Sequence, residues 1–434
     1  MCLFLHRPAS VRSRPALVRV WLVSVLAICP LLASAQVTGG EATAAGDAPS
    51  SLADAFRQAW MRQPELSGLS LRRASARATD AVARGWTPEP TTVGLSDRSD
   101  RLLANDGVRE YELGIGIPLW LPGERTRAAA LSRAESGSLE SALEAARLKL
   151  AGEVREAFWG WQRLRIDRVA AEDRLTNARS LAADVVRRVR AGDLARADQN
   201  LADGAVSAAA FQVADASAAL GEGEMRLTSL IGSPPSAAAL ANPEPVPDRS
   251  LTGSTIAHTH PEITDLRSRA EVSARAAELA AVRTRASPEL EITTTRERDA
   301  RVSRYEQTVT IGIRVPLSSS GATSARQATA RAEAAEAQAR LDQRTQQLAF
   351  EQDSSRRSLD SARVRLEAAE QRLRLARETR GFYERSFRAG ETDLPSRLRI
   401  ESEAVEAQRD AARSRIDVAI AVSRLRQSLG LLTE

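Results

Sequence analysis

Two stretches of the chain alternate apolar and polar positions with a period of two. From residue 111 the odd positions are Tyr111, Leu113, Ile115, Ile117 and Leu119, with Glu112, Gly114, Gly116 and Pro118 between them. Later, Val309, Ile311, Ile313, Val315 and Leu317 alternate with Thr310, Gly312, Arg314 and Pro316. Such alternation predicts strands with one apolar and one polar face. Each has a weaker partner before it, at 91–97 and 290–296, across the polar stretches 99–107 and 297–303. The reading is two β-hairpins, at about 90–120 and 289–317, with strands of about ten residues, the length that crosses a bilayer when tilted. On that reading Leu113, Ile115, Ile117, Ile311, Ile313 and Val315 face lipid.

The period then changes. Residues 124–189 and 322–387 contain no proline, and at 1.5 Å per residue each predicts a helix of roughly 100 Å. Leu359, Ala362, Leu366, Ala369, Leu373 and Ala376 keep alternating spacings of three and four, a heptad seam kept narrow by alanine. In the first helix Leu143, Leu150, Ala157, Leu164, Ala171, Ala178 and Val185 recur every seven, and Phe158, Trp159 and Trp161 add bulk. Each long helix stops at Arg-Ala-Gly, with Gly192 and Gly390 suited to a left-handed turn. Return helices are predicted at 195–231 and 396–429. Upstream, Ser51 caps a helical stretch that continues past Pro64 to about Gly85.

These elements form a duplication. Gly123 and Gly321, Arg133-Ala134-Glu135 and Arg331-Ala332-Glu333, and Arg190-Ala191-Gly192 and Arg388-Ala389-Gly390 all stand 198 residues apart. Ser229-Leu230-Ile231-Gly232 recurs as Ser428-Leu429-Gly430. One long period used twice means a duplicated half, at 51–232 and 251–434, around a proline-rich linker at 233–250. The fold class is mainly α with a small β part.

Residues 1–35 read as a secretory signal peptide: four arginines, an apolar run from Val20 to Leu32, then Ala33-Ser34-Ala35. Cleavage before Gln36 removes four of the charges behind the net +5, so basicity says little about nucleic acid, and none is expected as a partner. Both cysteines, Cys2 and Cys29, leave with the leader. Cys29 as a lipidation site is the alternative, which Ile28 before it fits poorly. Residues 36–50 read as disordered. No later run approaches the apolar length of a spanning helix.

Candidate chemistry is sparse. His258 and His260 lie at a helix start without a third ligand, and read as structural. No nucleophile triad, phosphate loop or paired-acid spacing stands out, so no enzyme activity, cofactor or metal site is expected. Four strands with an apolar face cannot stand alone in lipid, because both sheet edges would leave backbone groups unpaired. The smallest membrane barrels have eight strands, so at least two chains are required. Physics alone leaves two, three or four copies open.

The order helix, hairpin, long helix, glycine turn, helix, given twice, resembles the TolC-type outer-membrane efflux family. Local signatures agree: Gln63-Pro64-Glu65-Leu66 and His260-Pro261-Glu262-Ile263, the junction from Ile117 to Arg125, and the glycine tips. The junction most resembles the branch serving heavy-metal cation exporters. The resemblance implies a homotrimer with a 12-stranded transmembrane β-barrel over a trimeric periplasmic α-barrel. It also implies a periplasmic membrane-fusion adaptor and an inner-membrane pump of the resistance-nodulation-division type, with heavy-metal cations or drugs as cargo. Arg190, Gly192, Arg388 and Gly390 would then be adaptor-docking tips as well as turns. Asp198 falls where the family places acids that ring the periplasmic opening, while Ser396 stands at the matching place in the second half. The plainer reading of Asp198 is a complement to its helix N-terminus. Rival functions are the conduit of a type I secretion system and a soluble periplasmic coiled-coil adaptor.

Overall fold

The computed structural model describes residues 49, 51–102, 106–236, 243–248, 259–317 and 320–433. The predicted leader, the segment 36–48 and His258 lie outside them. Ser51 accepts a hydrogen bond from the Asp54 amide at 3.1 Å and opens α1, Leu52–Met61. The single stretch expected through Pro64 is two helices. Proline has no amide hydrogen and forces the residue before it out of helical geometry. Gln63 is accordingly extended, and α2 runs Pro64–Ala83 with proline in its first turn.

Strands β1, Thr92–Ser99, and β2, Arg109–Pro118, precede α3, Glu124–Ala191, and α4, Arg196–Ile231. The second set is α5, Pro261–Val282, then β3, Glu289–Arg298, β4, Glu306–Arg314, α6, Ser320–Arg388, and α7, Leu394–Ser428. Helix α7 starts two residues before the position read from sequence, because Pro395 fits a first turn.

The repeats are not separate bodies. Their hairpins join edge to edge into one antiparallel sheet in the order β1-β2-β3-β4, and residues Asp47–Glu434 form one compact unit. The helices follow the same order. Next to the sheet the wall reads α2, α3, α5, α6; towards the glycine turns it reads α4, α3, α7, α6.

The largest core lies midway down the wall. Phe158, Trp159 and Trp161 of α3 pack with Phe56 of α1, Leu227 and Ile231 of α4 and Ala419 of α7. Phe158 and Trp159 meet edge to face, centroids 5.3 Å apart. The alanine-leucine seam of α6 faces α7: Leu359 and Ala362 meet Val422 and Leu425, and Leu373 meets Ala407 and Ala411. No helix among the described residues is long and apolar enough to cross a membrane.

Candidate functional site

The strand register sorts every side chain onto one of two faces. Directly paired residues share a face, so Val93, Ile115, Ile292 and Ile311 form one rung and Leu95, Leu113, Thr294 and Val309 another. Ile117, Leu290 and Ile313 form a third. This apolar face is bare: Leu95 is 83% exposed and Ile311 70%, and Val315 just beyond β4 is exposed as well. Ile117 is half-buried near the helical junction.

The opposite face is polar and acidic. It carries Glu110, Glu112, Glu289, Glu291, Glu297 and Glu306, against Arg98 and Arg314. Glu297 stands directly between Glu110 and Glu306. Thr92 donates to Glu289 at 3.1 Å across β2. Gly116 permits that approach, because a Cβ there would lie 2.0 Å from the Glu289 carboxylate.

The junction between sheet and helices is bolted by the segment Trp120–Arg125. The Trp120 indole donates to the Gly85 carbonyl at 3.2 Å. Arg125 donates to the Arg84 carbonyl at 2.6 Å. Buried Glu124 accepts from the Leu121 amide and from Arg283 at the end of α5. The motif thus joins the ends of α2 and α5 to the start of α3.

At the far end, Gly192 and Gly390 take φ of 90° and 79°, the left-handed region that glycine enters without a Cβ clash. Both turns close alike: the Asp193 amide donates to Arg188 O at 2.9 Å, and Glu391 to Ser386 O at 3.0 Å. Gly192, Gly390, Arg190 and Arg388 are exposed, and Arg388 pairs with Glu384 of its own helix. A small cluster under the turns joins Val185 and Ala202 to Phe387 and Leu394.

One tip residue escaped the sequence reading. Arg188 crosses from the first tip to the second, donating to the Phe387 carbonyl at 2.9 Å and stacking 4.7 Å over the Phe387 ring. It caps the end of a helix from the other repeat. Asp198 is a helix-start residue in this geometry, its carboxylate accepting from the Ala195 amide at 3.0 Å.

The linker also holds a surprise. Glu244 lies buried between Arg155 of α3, at 2.7 Å, and Arg426 of α7, at 3.3 Å. Trp159 donates to Ser423, and Ser423 to Glu244. Arg155 also reaches Gln427 and the Leu431 carbonyl. Linker, C-terminal tail and both main helices meet in this network. Lower down, burial pushes the Asp167 carboxyl up, but hydrogen bonds from Arg413 and Arg409 hold it below the ordinary carboxylate range.

His260, only 2% exposed, starts α5 beside a cavity of about 310 Å³ lined also by Glu262, Arg344 and Glu351. Arg344 bridges the two glutamates at 2.7 and 2.6 Å. Neither ring nitrogen of His260 makes a well-formed hydrogen bond among the described residues. Burial holds its pKa below 6.5, against a weaker opposing pull from the Gln427 backbone and Glu262. Among the described residues no cluster of three or more His, Cys, Asp or Glu is placed to hold a metal ion.

A sheet that is apolar on one face and acidic on the other, set on a wall of long helices, defines the class: a segment of a membrane channel. Residues 55–233 and 264–431 match the family model described as outer membrane efflux protein, and the chain belongs to that family. It is an outer-membrane efflux channel protein with a long periplasmic helical part. Its fold is similar to that of CusC (TM-score 0.72, 17% identity, 88% of this chain and 92% of that one). It is also similar to VceC of Vibrio cholerae (0.69, 17%, 88% and 97%) and CmeC of Campylobacter jejuni (0.71, 13%, 88% and 86%). No curated protein matches the chain in sequence.

Proposed function

We propose that this chain is the outer-membrane member of a tripartite efflux system. Three copies close into a twelve-stranded barrel over a periplasmic helical tunnel. The observation that supports this most is the pair of unpaired edges on the wall. β1 ends the sheet on one side and β4 on the other. α2 and α4 end the helical wall on the β1 side, and α6 ends it on the β4 side. Both edge helices expose large apolar side chains: Leu201, Phe211 and Met225 on α4, and Phe350, Leu375 and Phe382 on α6. Two different edges that meet head to tail generate a ring when the rotation closes. Closure removes the strand edges that lipid cannot tolerate.

The apolar sheet face then meets lipid and the acidic face lines the lumen. Like charges placed directly opposite one another destabilise a sheet, so three aligned glutamates favour a role in the lumen. Acid rings select cations, which supports cationic cargo, heavy-metal ions among them. The chain acts as a passive conduit: a periplasmic membrane-fusion adaptor meets the exposed tips, and an inner-membrane pump of the resistance-nodulation-division type supplies the energy.

The experiment compares Ile313→Arg with Thr310→Arg by the amount of heat-resistant oligomer recovered in outer membranes. Arginine at Ile313 is expected to cost about 2–4 kcal/mol, and at Thr310 far less. Equal tolerance at both positions contradicts the orientation.

A further inference from the structure

The outward face of the sheet is not apolar along its whole length. Above the three apolar rungs, away from the helices, comes a rung of Tyr111, Arg296 and Gln307, with Asp97 beyond Tyr111. The next pairs Arg109 with Arg298. Tyr305, just before β4, stands under both β3 arginines: the Arg296 guanidinium lies 4.8 Å and that of Arg298 5.1 Å from its ring centroid. Tyr111 and Tyr305 are 6.4 Å apart. Arg109 donates to the Tyr111 hydroxyl at 3.4 Å, and Arg298 to the Gly107 carbonyl at 3.0 Å.

Among the described residues, none of the three guanidinium groups is paired with a carboxylate. Asp97 is the one acid on these rungs, and the glutamates of β3 and β4 point to the other face. The apolar end nearest the helices, at Ile117, Leu290 and Ile313, carries no basic residue on this face. The positive charge is therefore confined to the end furthest from the periplasmic helices.

We propose that Arg109, Arg296 and Arg298, stacked on Tyr305 and Tyr111, bind the phosphate-bearing saccharide headgroup of the outer-leaflet glycolipid. The inference rests on the apolar face being outward. Arginine forks match phosphate oxygens bidentately, and tyrosines at a membrane interface supply an apolar body with a polar tip. The Leu113, Thr294 and Val309 rung beneath offers acyl chains an apolar track. The asymmetry of the charge matches a bilayer whose phosphates are concentrated on a saccharide headgroup in one leaflet.

The test uses the full-length channel, purified in detergent and titrated with bisphosphorylated lipid A under native mass spectrometry. Combining Arg109→Gln, Arg296→Gln and Arg298→Gln should weaken binding about a hundredfold. Enzymatically dephosphorylated lipid A should bind the unaltered channel with a similar loss, independently of any folding defect in the variant. Unchanged binding by the variant, or equal binding of dephosphorylated lipid A, overturns the site. Displacement by inorganic phosphate at equal concentration would make it a free-anion site and overturn the lipid assignment. A nitroxide at Leu113→Cys separates the two readings: contact with lipid-phase oxygen keeps the outward face whatever the titration shows, and contact with water removes both.

Discussion

The middle of the wall and its tips are built from the same helices but held in different ways. Midway, aromatic side chains of α1 and α3 pack with Leu227 and Ile231 of α4, and Arg155, Glu244 and Arg426 are buried together. At the tips five side chains are buried, Phe387 the one aromatic among them, and the turns themselves stand in solvent. The middle is a fixed collar because removing any member leaves a charge or a void inside. The tips are held by one crossing arginine, a smaller apolar cluster and two glycine turns. Local stability follows buried apolar contact, so the tips are expected to open locally before the collar does.

The strongest way to break that contrast is Glu244→Ala. It leaves two buried guanidinium groups without their carboxylate and should cost about 3–5 kcal/mol. Denaturant unfolding followed by Trp159 fluorescence reads it, since Trp159 shares the network through Ser423. A loss under about 1 kcal/mol, the range of exposed ion pairs, would make the collar an ordinary surface.

Gly192→Val and Gly390→Val should each cost about 1–2 kcal/mol, the strain of a branched residue in left-handed geometry. Nothing lies within 4 Å of a Cβ at either position, so the loss is backbone strain alone. Hydrogen exchange should quicken at the tips and stay unchanged around Trp159. Cysteines at the same turns should crosslink to the cognate adaptor.

Arg188→Ala removes a carbonyl hydrogen bond and a ring contact, and should cost about 1 kcal/mol. Its signature is faster exchange at the end of α6, a helix to which Arg188 does not belong.

His260 sharpens the contrast through pH. Its folded pKa is depressed by burial, so the unfolded chain binds more protons just below pH 6.5. Stability should therefore fall as pH drops from 6.5 towards the depressed value, and be full above it. Glu262, Glu351, Arg344 and Arg424 are the charges lining the cavity beside it. His260→Asn should flatten the slope of unfolding free energy against pH in that window. The smallest effect is expected at Asp198→Ala, which removes a cap contact worth about 0.3–1 kcal/mol. If Asp198 also rings the opening, the variant should relieve block of bilayer conductance by multivalent cations from the periplasmic side.

The sheet, the long helices and the turns were legible because each repeats a local period or a glycine requirement. Ile311 and Thr310 differ in face by parity alone. The collar was not legible. Glu244 sits in a proline-rich stretch that reads as a linker, and its partners lie 89 and 182 residues away in sequence. Periodicity has no term for such a contact. Arg188 was hidden among dozens of arginines, since only the meeting of the tips gives it a role. The break at Gln63 was readable from Pro64, but the apolar pattern ran on through it. That the two hairpins share one sheet followed from no local signal, because edge pairing between repeats is a tertiary fact.

The central claim is that the α4 edge of one copy meets the α6 edge of the next. Leu201 stands nine residues past Gly192 and Phe382 eight before Gly390, so the two exposed apolar side chains lie at matching heights on the two edge helices. The direct measurement is oxidation of a channel carrying Leu201→Cys with Phe382→Cys, followed by denaturing electrophoresis. The account predicts a covalent species of three chains, with monomers alone in either single variant. A double variant that stays monomeric, while the channel still assembles and conducts, would contradict it.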